Sequence, residues 1–249
     1  LEGALTYTRN RLDEKRYNRS IYEELGIGPM LVDAILKEWK SMRMELGCVD
    51  FEDLQEMLYE ECITKNNIEV IEFLRKRYNY IYVDEFQDTS QIQYALLKLY
   101  ASGAKKIVVI GDDDQTIYSW RGSYNRIITN EFANDFNPII SNLSVNYRCP
   151  SNILESIKPS LEENKNRFKK ELKSYNTGGE FRVGEFTNYV SMVESLSNMI
   201  YEDVKANRSV AVLCRVNSDG LLPALMLDRL GKFQYTISGD GMTLDSYIG

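Results

Sequence analysis

Apolar positions fall into two rhythms along the chain, helical at first and then alternating with strand-like runs. Between 29 and 45, Leu31, Ile35, Leu36, Trp39 and Met42 recur at three- and four-residue spacing, which keeps them on one face of a helix. Asp50 stands where an N-cap belongs, opening a second helix over 51–61, and a third is expected over about 68–77. The stretch before Pro29 is polar, charged and Tyr-rich, and is read as helical. After Tyr78 short β-branched and aromatic runs take over. Strands are expected at 80–84, 106–110 and 139–145, and helices at 91–100, 123–136 and from about 151. Residues 165–179 are polar and basic and end in Thr177-Gly178-Gly179, a loop signal. The interleaved Glu162, Glu163 and Glu171 make its charged part read as a solvated face. A second alternating unit comes next, with strands at 181–186, 209–214 and 234–237 around helices at 189–205 and 218–230. Strand-helix alternation predicts an α/β fold with parallel sheets, preceded by a helical segment, with a join near 145–150.

Composition narrows the chemistry. A 43% apolar share supports a packed core, and no apolar run reaches membrane-spanning length. Cys48, Cys62, Cys149 and Cys214 are scattered, and histidine is absent. Zinc sites and His-based acid/base catalysis are therefore not expected, and reduced thiols fit a cytoplasmic protein. The net charge of −7 argues against general adhesion to nucleic acid while leaving room for a local basic groove. The chain starts at Leu1, has its first methionine at Met30 and shows no signal peptide, so a fragment of a longer protein is expected.

The stretch IYVDEFQDTS, residues 81–90, ends a strand-like run on the acid pair Asp84-Glu85. Such a pair suits a nucleotide-bound metal and normally works with a G-x-x-x-x-G-K-S/T phosphate loop, which the chain lacks. The nearest stretch, Ser102-Gly103-Ala104-Lys105-Lys106, has neither the first glycine nor the hydroxyl. Acids at strand ends also cap helices, and Asp88, Thr89 and Ser90 are equally suited to that. A second cluster, VIGDDDQTIYSWRG at 109–122, places Gly111, three acids and Gln115 at the next strand's exit. Acids and an amide at two strand ends are what open α/β sheets present at their carboxyl-end crevice. A third, NYRCP at 146–150, supplies an aromatic face and the Arg148 guanidinium. Arg148 suits a transferring phosphoryl group and, equally, an ion pair with one of Asp112 to Asp114.

In this order the three clusters closely resemble motifs II, III and IV of superfamily 1A DNA helicases of the UvrD/Rep/PcrA type, with weaker likeness in VDFEDL (49–54) and in the segment LCRVNSDGLLPALMLDRLGKFQYTISGDG (213–241). The resemblance implies parts of two RecA-like domains: a helical segment from an inserted domain over 1–78, part of the first RecA-like domain over 79–144, and part of the second over 145–249. It implies an ATP-dependent 3′-to-5′ DNA helicase acting in DNA repair, with ATP and Mg²⁺ as cofactors and single-stranded DNA and duplex junctions as partners. No membrane is involved. By position, Asp84 would hold Mg²⁺ and Glu85 would orient or deprotonate the attacking water. Gln115 would sense the γ-phosphate, Tyr147 would stack on adenine and Arg148 would reach the γ-phosphate. Tyr118, Trp120 and Arg121 would meet single-stranded DNA, for which an indole beside a guanidinium is physically suited. The family's phosphate loop lies upstream, so the chain by itself is expected to be inactive. A non-catalytic shortened paralogue and a helicase-nuclease subunit of the AddA/RecB kind remain the alternatives.

Overall fold

The structure, a computed structural model, describes residues 2–12, 22 and 26–230, and the chain divides into two compact units, Leu1–Glu180 and Phe181–Gly249. Helix formation obeys local signals. Helix α1 (Glu2–Arg9) is followed by α2 (Pro29–Glu45), which starts on a proline, where the missing N–H costs nothing. Helix α3 (Phe51–Tyr59) opens with a reciprocal capping box: Asp50 Oδ1 accepts from Asp53 N at 2.7 Å, and Asp50 N donates to Asp53 Oδ2 at 3.0 Å. It runs into a π-helical turn, Glu60–Thr64, and Asn67 then caps α4 (Ile68–Arg75).

Strands β1 (Tyr80–Val83) and β2 (Lys106–Val109) pair in parallel, with Tyr80 opposite Lys106 and Val83 opposite Val109. The crossover is α5 (Gln91–Ala101), capped by a second reciprocal box between Ser90 and Gln93. Beneath the strand ends Phe86, Tyr94, Ile127 and Phe132 form the core, with Phe86 fully buried and its ring 5.2 Å from that of Phe132. Burying one such side chain contributes roughly 1.5–3 kcal/mol. The helix expected at 123–136 is a π-helical turn, Ile127–Glu131, leading into α6 (Phe132–Phe136) and ended by left-handed Asn137.

Three expected strands differ. The run at 139–145 keeps only β3 (Val145–Asn146), paired in parallel with β4 (Lys173–Ser174), while Ile139 and Leu143 are exposed. Residues 181–186 and 209–214 form no strand; Val183 is 79% and Leu213 95% exposed. Alternation marks a chain able to form a strand, but a strand exists only against a hydrogen-bonding neighbour, and among the described residues these segments have none. The strand expected at 234–237 lies outside the described residues.

Helix α7 (Ser151–Glu163) completes the described helices of the first unit. The division between the units at 180 does not coincide with the join expected near 145–150. Ion pairs from Arg167 and Lys170 to Asp112, Asp113 and Asp114, and Lys173 N donating to Ser144 O at 2.8 Å, attach 145–180 to the preceding residues. In the second unit α8 (Tyr189–Lys205) packs on α9 (Leu221–Leu230), burying Val193, Ile200, Ala224 and Leu227. Among the described residues no helix is long and apolar enough to cross a membrane.

Candidate functional site

The carboxyl ends of β1 and β2 lie side by side, held together by Phe86 N donating to Ile110 O at 2.9 Å and Ile110 N to Val83 O at 2.8 Å. Leaving β1, the chain must turn so that Phe86 can enter the core. Glu85 makes that turn in the left-handed region, at φ 49°. A non-glycine residue there is strained, and buried Phe86 and Gln87 behind it hold it in place. The next helix, α5, is capped by Ser90, so the cap reading of Asp84-Glu85 is not realised.

Gln87, 2% exposed, joins the two strand ends. Its Nε2 donates to Glu85 Oε2 at 2.7 Å, and its Oε1 accepts from Asp112 N at 3.0 Å. Asp112 Oδ2 in turn accepts from Gln115 Nε2 at 2.8 Å. Glu85 and Gln115 are thus linked through a relay of side-chain amides and backbone. Gly111 leaves room for it: a Cβ there would stand 2.7 Å from Gln87 Oε1 and 2.9 Å from Ile128 Cδ1. Sequence reasoning passed over Gln87. The available signal was an amide between the core position Phe86 and the capping segment, where a solvated face has no place.

Two acidic clusters meet at these strand ends and differ in charge balance. Asp112, Asp113 and Asp114 bring carboxylate oxygens within 4.8 Å of one another, close enough to suggest a metal cage. Lys170 already fills that position. Its Nζ lies 2.7 Å from Asp113 and 3.0 Å from Asp114 and also pairs with Asp112. Arg167 grips Asp114 with two hydrogen bonds, at 2.9 and 2.6 Å, and Phe168 N donates to Asp113 Oδ2 at 2.6 Å. Burial raises the cost of charge on Asp112, but hydrogen bonds from Lys170, Gln115 and Asp114 N outweigh it and hold the carboxyl below its ordinary range. The solvated-face expectation for 165–173 is therefore wrong for Arg167 and Lys170, whose side chains are only 15% and 12% exposed. These two residues, not Arg148, stitch the acidic loop to the segment between α7 and β4.

Asp84, Glu85 and Asp88 are the opposite case: among the described residues none of them forms an ion pair. Asp88 Oδ1 is buried without a hydrogen-bond partner, and burial followed by the neighbouring Glu85 charge pushes the Asp88 carboxyl up. These three acids border an open cleft of about 530 Å³ with Leu96, Leu97 and Tyr100 along one side. Oxygen ligands and uncompensated negative charge suit a hard divalent cation.

Gln115 is exposed at the end of the turn Asp113–Gln115. Tyr118 and Trp120 are 39% and 47% exposed, and the Arg121 guanidinium lies 4.7 Å from the Trp120 ring centre and 5.7 Å from that of Tyr118. The turn Ser119–Arg121 buries none of its residues, so Trp120 is not a core anchor. Tyr147 is 67% exposed with its ring 5.1 Å from that of Tyr175, and Arg148 is exposed. Among the described residues no hydrogen bond or ion pair joins Arg148 to Asp84, Glu85 or Gln115.

Fold and site together define a parallel α/β protein whose acids, amide and aromatic turn gather at the strand carboxyl ends. The chain belongs to the UvrD/REP helicase family: the family's model, described as the UvrD/REP helicase N-terminal domain, matches residues 6–137. Among curated relatives, DNA helicase II of Escherichia coli K12 is 41% identical over 135 residues, 54% of this chain and 18% of that protein. ATP-dependent DNA helicase PcrA of Staphylococcus aureus Mu50 is 35% identical over 227 residues, 87% of this chain and 30% of that protein. PcrA of Staphylococcus epidermidis is 30% identical over 225 residues, with the same coverage. The chain spans less than a third of the length of each of these relatives.

Proposed function

We propose that the chain works as part of an ATP-dependent DNA helicase that moves 3′-to-5′ along single-stranded DNA and opens duplex junctions. In this reading residues 1–78 belong to an inserted helical domain, 79–144 to the first RecA-like domain and 145–249 to the second. The observation that carries it is the contrast between the two acid clusters: Asp112 to Asp114 are ion-paired with Lys170 and Arg167, whereas Asp84 and Glu85 stand unpaired at a strand end beside an open cleft.

The donor set at the end of β1, carboxylate oxygens with orphaned Asp88 Oδ1 behind them, fits a Mg²⁺ arriving with ATP. Bound there, Mg²⁺ would neutralise charge on the phosphates. Asp84 would hold it, and Glu85 would accept a proton from the water that attacks the γ-phosphate. Gln115 has an amide to offer that phosphate, and its link to Glu85 through Gln87 couples the two strand ends. Tyr147 would stack on adenine and Arg148 would place its guanidinium at the γ-phosphate. Tyr118, Trp120 and Arg121 would contact single-stranded DNA, bases on the rings and phosphate on the cation. By themselves these residues supply no cradle for the β- and γ-phosphates, so residues 1–249 alone would not turn over ATP.

Strand separation by the complete helicase tests the proposal. A duplex with a 3′ single-stranded tail should be opened in the presence of Mg-ATP, while one with a 5′ tail should not. Equal opening of both substrates would remove the polarity, and opening of neither would remove the activity.

A further inference from the structure

Helix α1 touches both the Phe51–Tyr59 helix and the aromatic turn Ser119–Arg121. On one side of its last turn Arg9, with its side chain 9% exposed, reaches Asp50 at 2.8 Å, Asp53 at 2.7 Å and Glu56 at 2.7 Å, three carboxylates grouped at the start of α3. Arg43 from α2 grips the same Asp53 with two hydrogen bonds, at 2.9 and 2.8 Å. A buried guanidinium is tolerated only when its charge and donors are matched, so the network leaves α1 one position against α2 and α3. On the other side of that turn Tyr7 and Asn10, the residue next to Arg9, lie against Gly122. A Cβ on Gly122 would meet Asn10 Cβ at 2.6 Å, and the residue sits at φ +95°, where only glycine is at ease. Just beyond, the Arg11 guanidinium covers the Tyr124 ring at 4.2 Å and Leu12 N donates to Gln91 Oε1 at 2.6 Å.

The aromatic turn is tied at its exit, where Ser123 bridges to Ser90 and Tyr124 N donates to Thr89 O at 3.2 Å. It closes through Arg121 N to Tyr118 O at 2.9 Å and Gly122 N to Ser119 O at 3.0 Å, and buries neither Trp120 nor Arg121. Its exposed apex leans on α1.

We infer that α1 is a strut that transmits the position of the helical segment to the aromatic turn, and that Arg9 is its positioning residue. Arg9 touches neither Trp120 nor Arg121 in any hydrogen bond or ion pair among the described residues. It acts by fixing the helical turn whose opposite side, through Tyr7 and Asn10, seats Gly122. The helical segment would thereby set the pose in which the turn meets DNA. This last step rests on Trp120 being a base-stacking residue.

The test compares this chain with variants carrying Arg9→Ala, Arg9→Lys or Trp120→Ala. Hydrogen exchange of the amides of Arg121, Gly122 and Ser123 reports on the turn without DNA, and the Ile110 amide reports on the sheet. Arg9→Ala should speed exchange in the turn by about tenfold, a local opening, with Ile110 unchanged. Binding of a labelled thymidine oligonucleotide, followed by anisotropy, should weaken by about tenfold, within the range for losing one stacked base. If Arg9→Ala also releases the Ile110 amide, Arg9→Lys decides, since it keeps the buried charge but loses the fork that reaches three carboxylates. Unchanged exchange in the turn of the variant that decides would overturn the strut. Unchanged oligonucleotide affinity in that variant, where Trp120→Ala abolishes binding, would overturn its link to DNA. Full affinity in Trp120→Ala would instead refute the stacking reading and leave the exchange result to judge the strut.

Discussion

Glu85 carries the sharpest conflict between local preference and position. Its left-handed backbone is held by Phe86, fully buried on one side of the turn, and by the Gln87 amide that binds its carboxylate. Phe86→Ala should cost about 3–5 kcal/mol in denaturant unfolding, since it removes the centre of the core. Gln87→Leu keeps the volume but strands Asp112 N, and should cost roughly 1–3 kcal/mol. A stability within error of wild type for Gln87→Leu would mean that the amide bridge contributes nothing. At this scale the sequence was informative where chemistry is unusual. Asp84, Glu85, Gln115 and Trp120 stand out by type and neighbourhood. Gln87, Arg167, Lys170 and Arg9 did not, because each gains its role from a partner between 25 and 58 residues away for the first three and over 40 for Arg9.

Elements with their own start signals were legible. Asp50, Asn67, Ser90 and Asn188 cap the helices that they precede, and the 189–205 helix lies where periodicity put it. The strands at 181–186 and 209–214 were not, since a ladder depends on a neighbour that local alternation cannot supply. Between elements the ionic clamp on the acidic loop is the main tie. Lys170→Met leaves Asp113 and Asp114 buried with Arg167 as their remaining cation, and should cost about 2–4 kcal/mol at neutral pH. The pH dependence comes from the lowered Asp112 carboxyl. Its contribution is fully present above the unfolded value near 4 and fades as pH falls through the lower folded value. Melting temperatures of wild type and Lys170→Met should therefore differ at pH 7 and converge in acid below about pH 4. A constant gap would separate Lys170 from Asp112 ionisation.

Across the whole molecule a net charge of −7 coexists with a turn that offers an indole, a phenol and a guanidinium together. Binding of single-stranded DNA by this chain should accordingly be weak and local. Log affinity should fall with log salt at a slope of about −0.7 per phosphate contacted, and a small slope is expected from so few cations. The central claim is that Asp84 and Glu85 form the hydrolytic centre of a helicase. DNA-stimulated phosphate release by the complete helicase, wild type against Glu85→Gln, tests it most directly. Glu85→Gln retains size and a polar contact with Gln87 while removing the base, so turnover should fall by about 10²–10⁴-fold with ATP still bound. Undiminished phosphate release from Glu85→Gln would contradict the account.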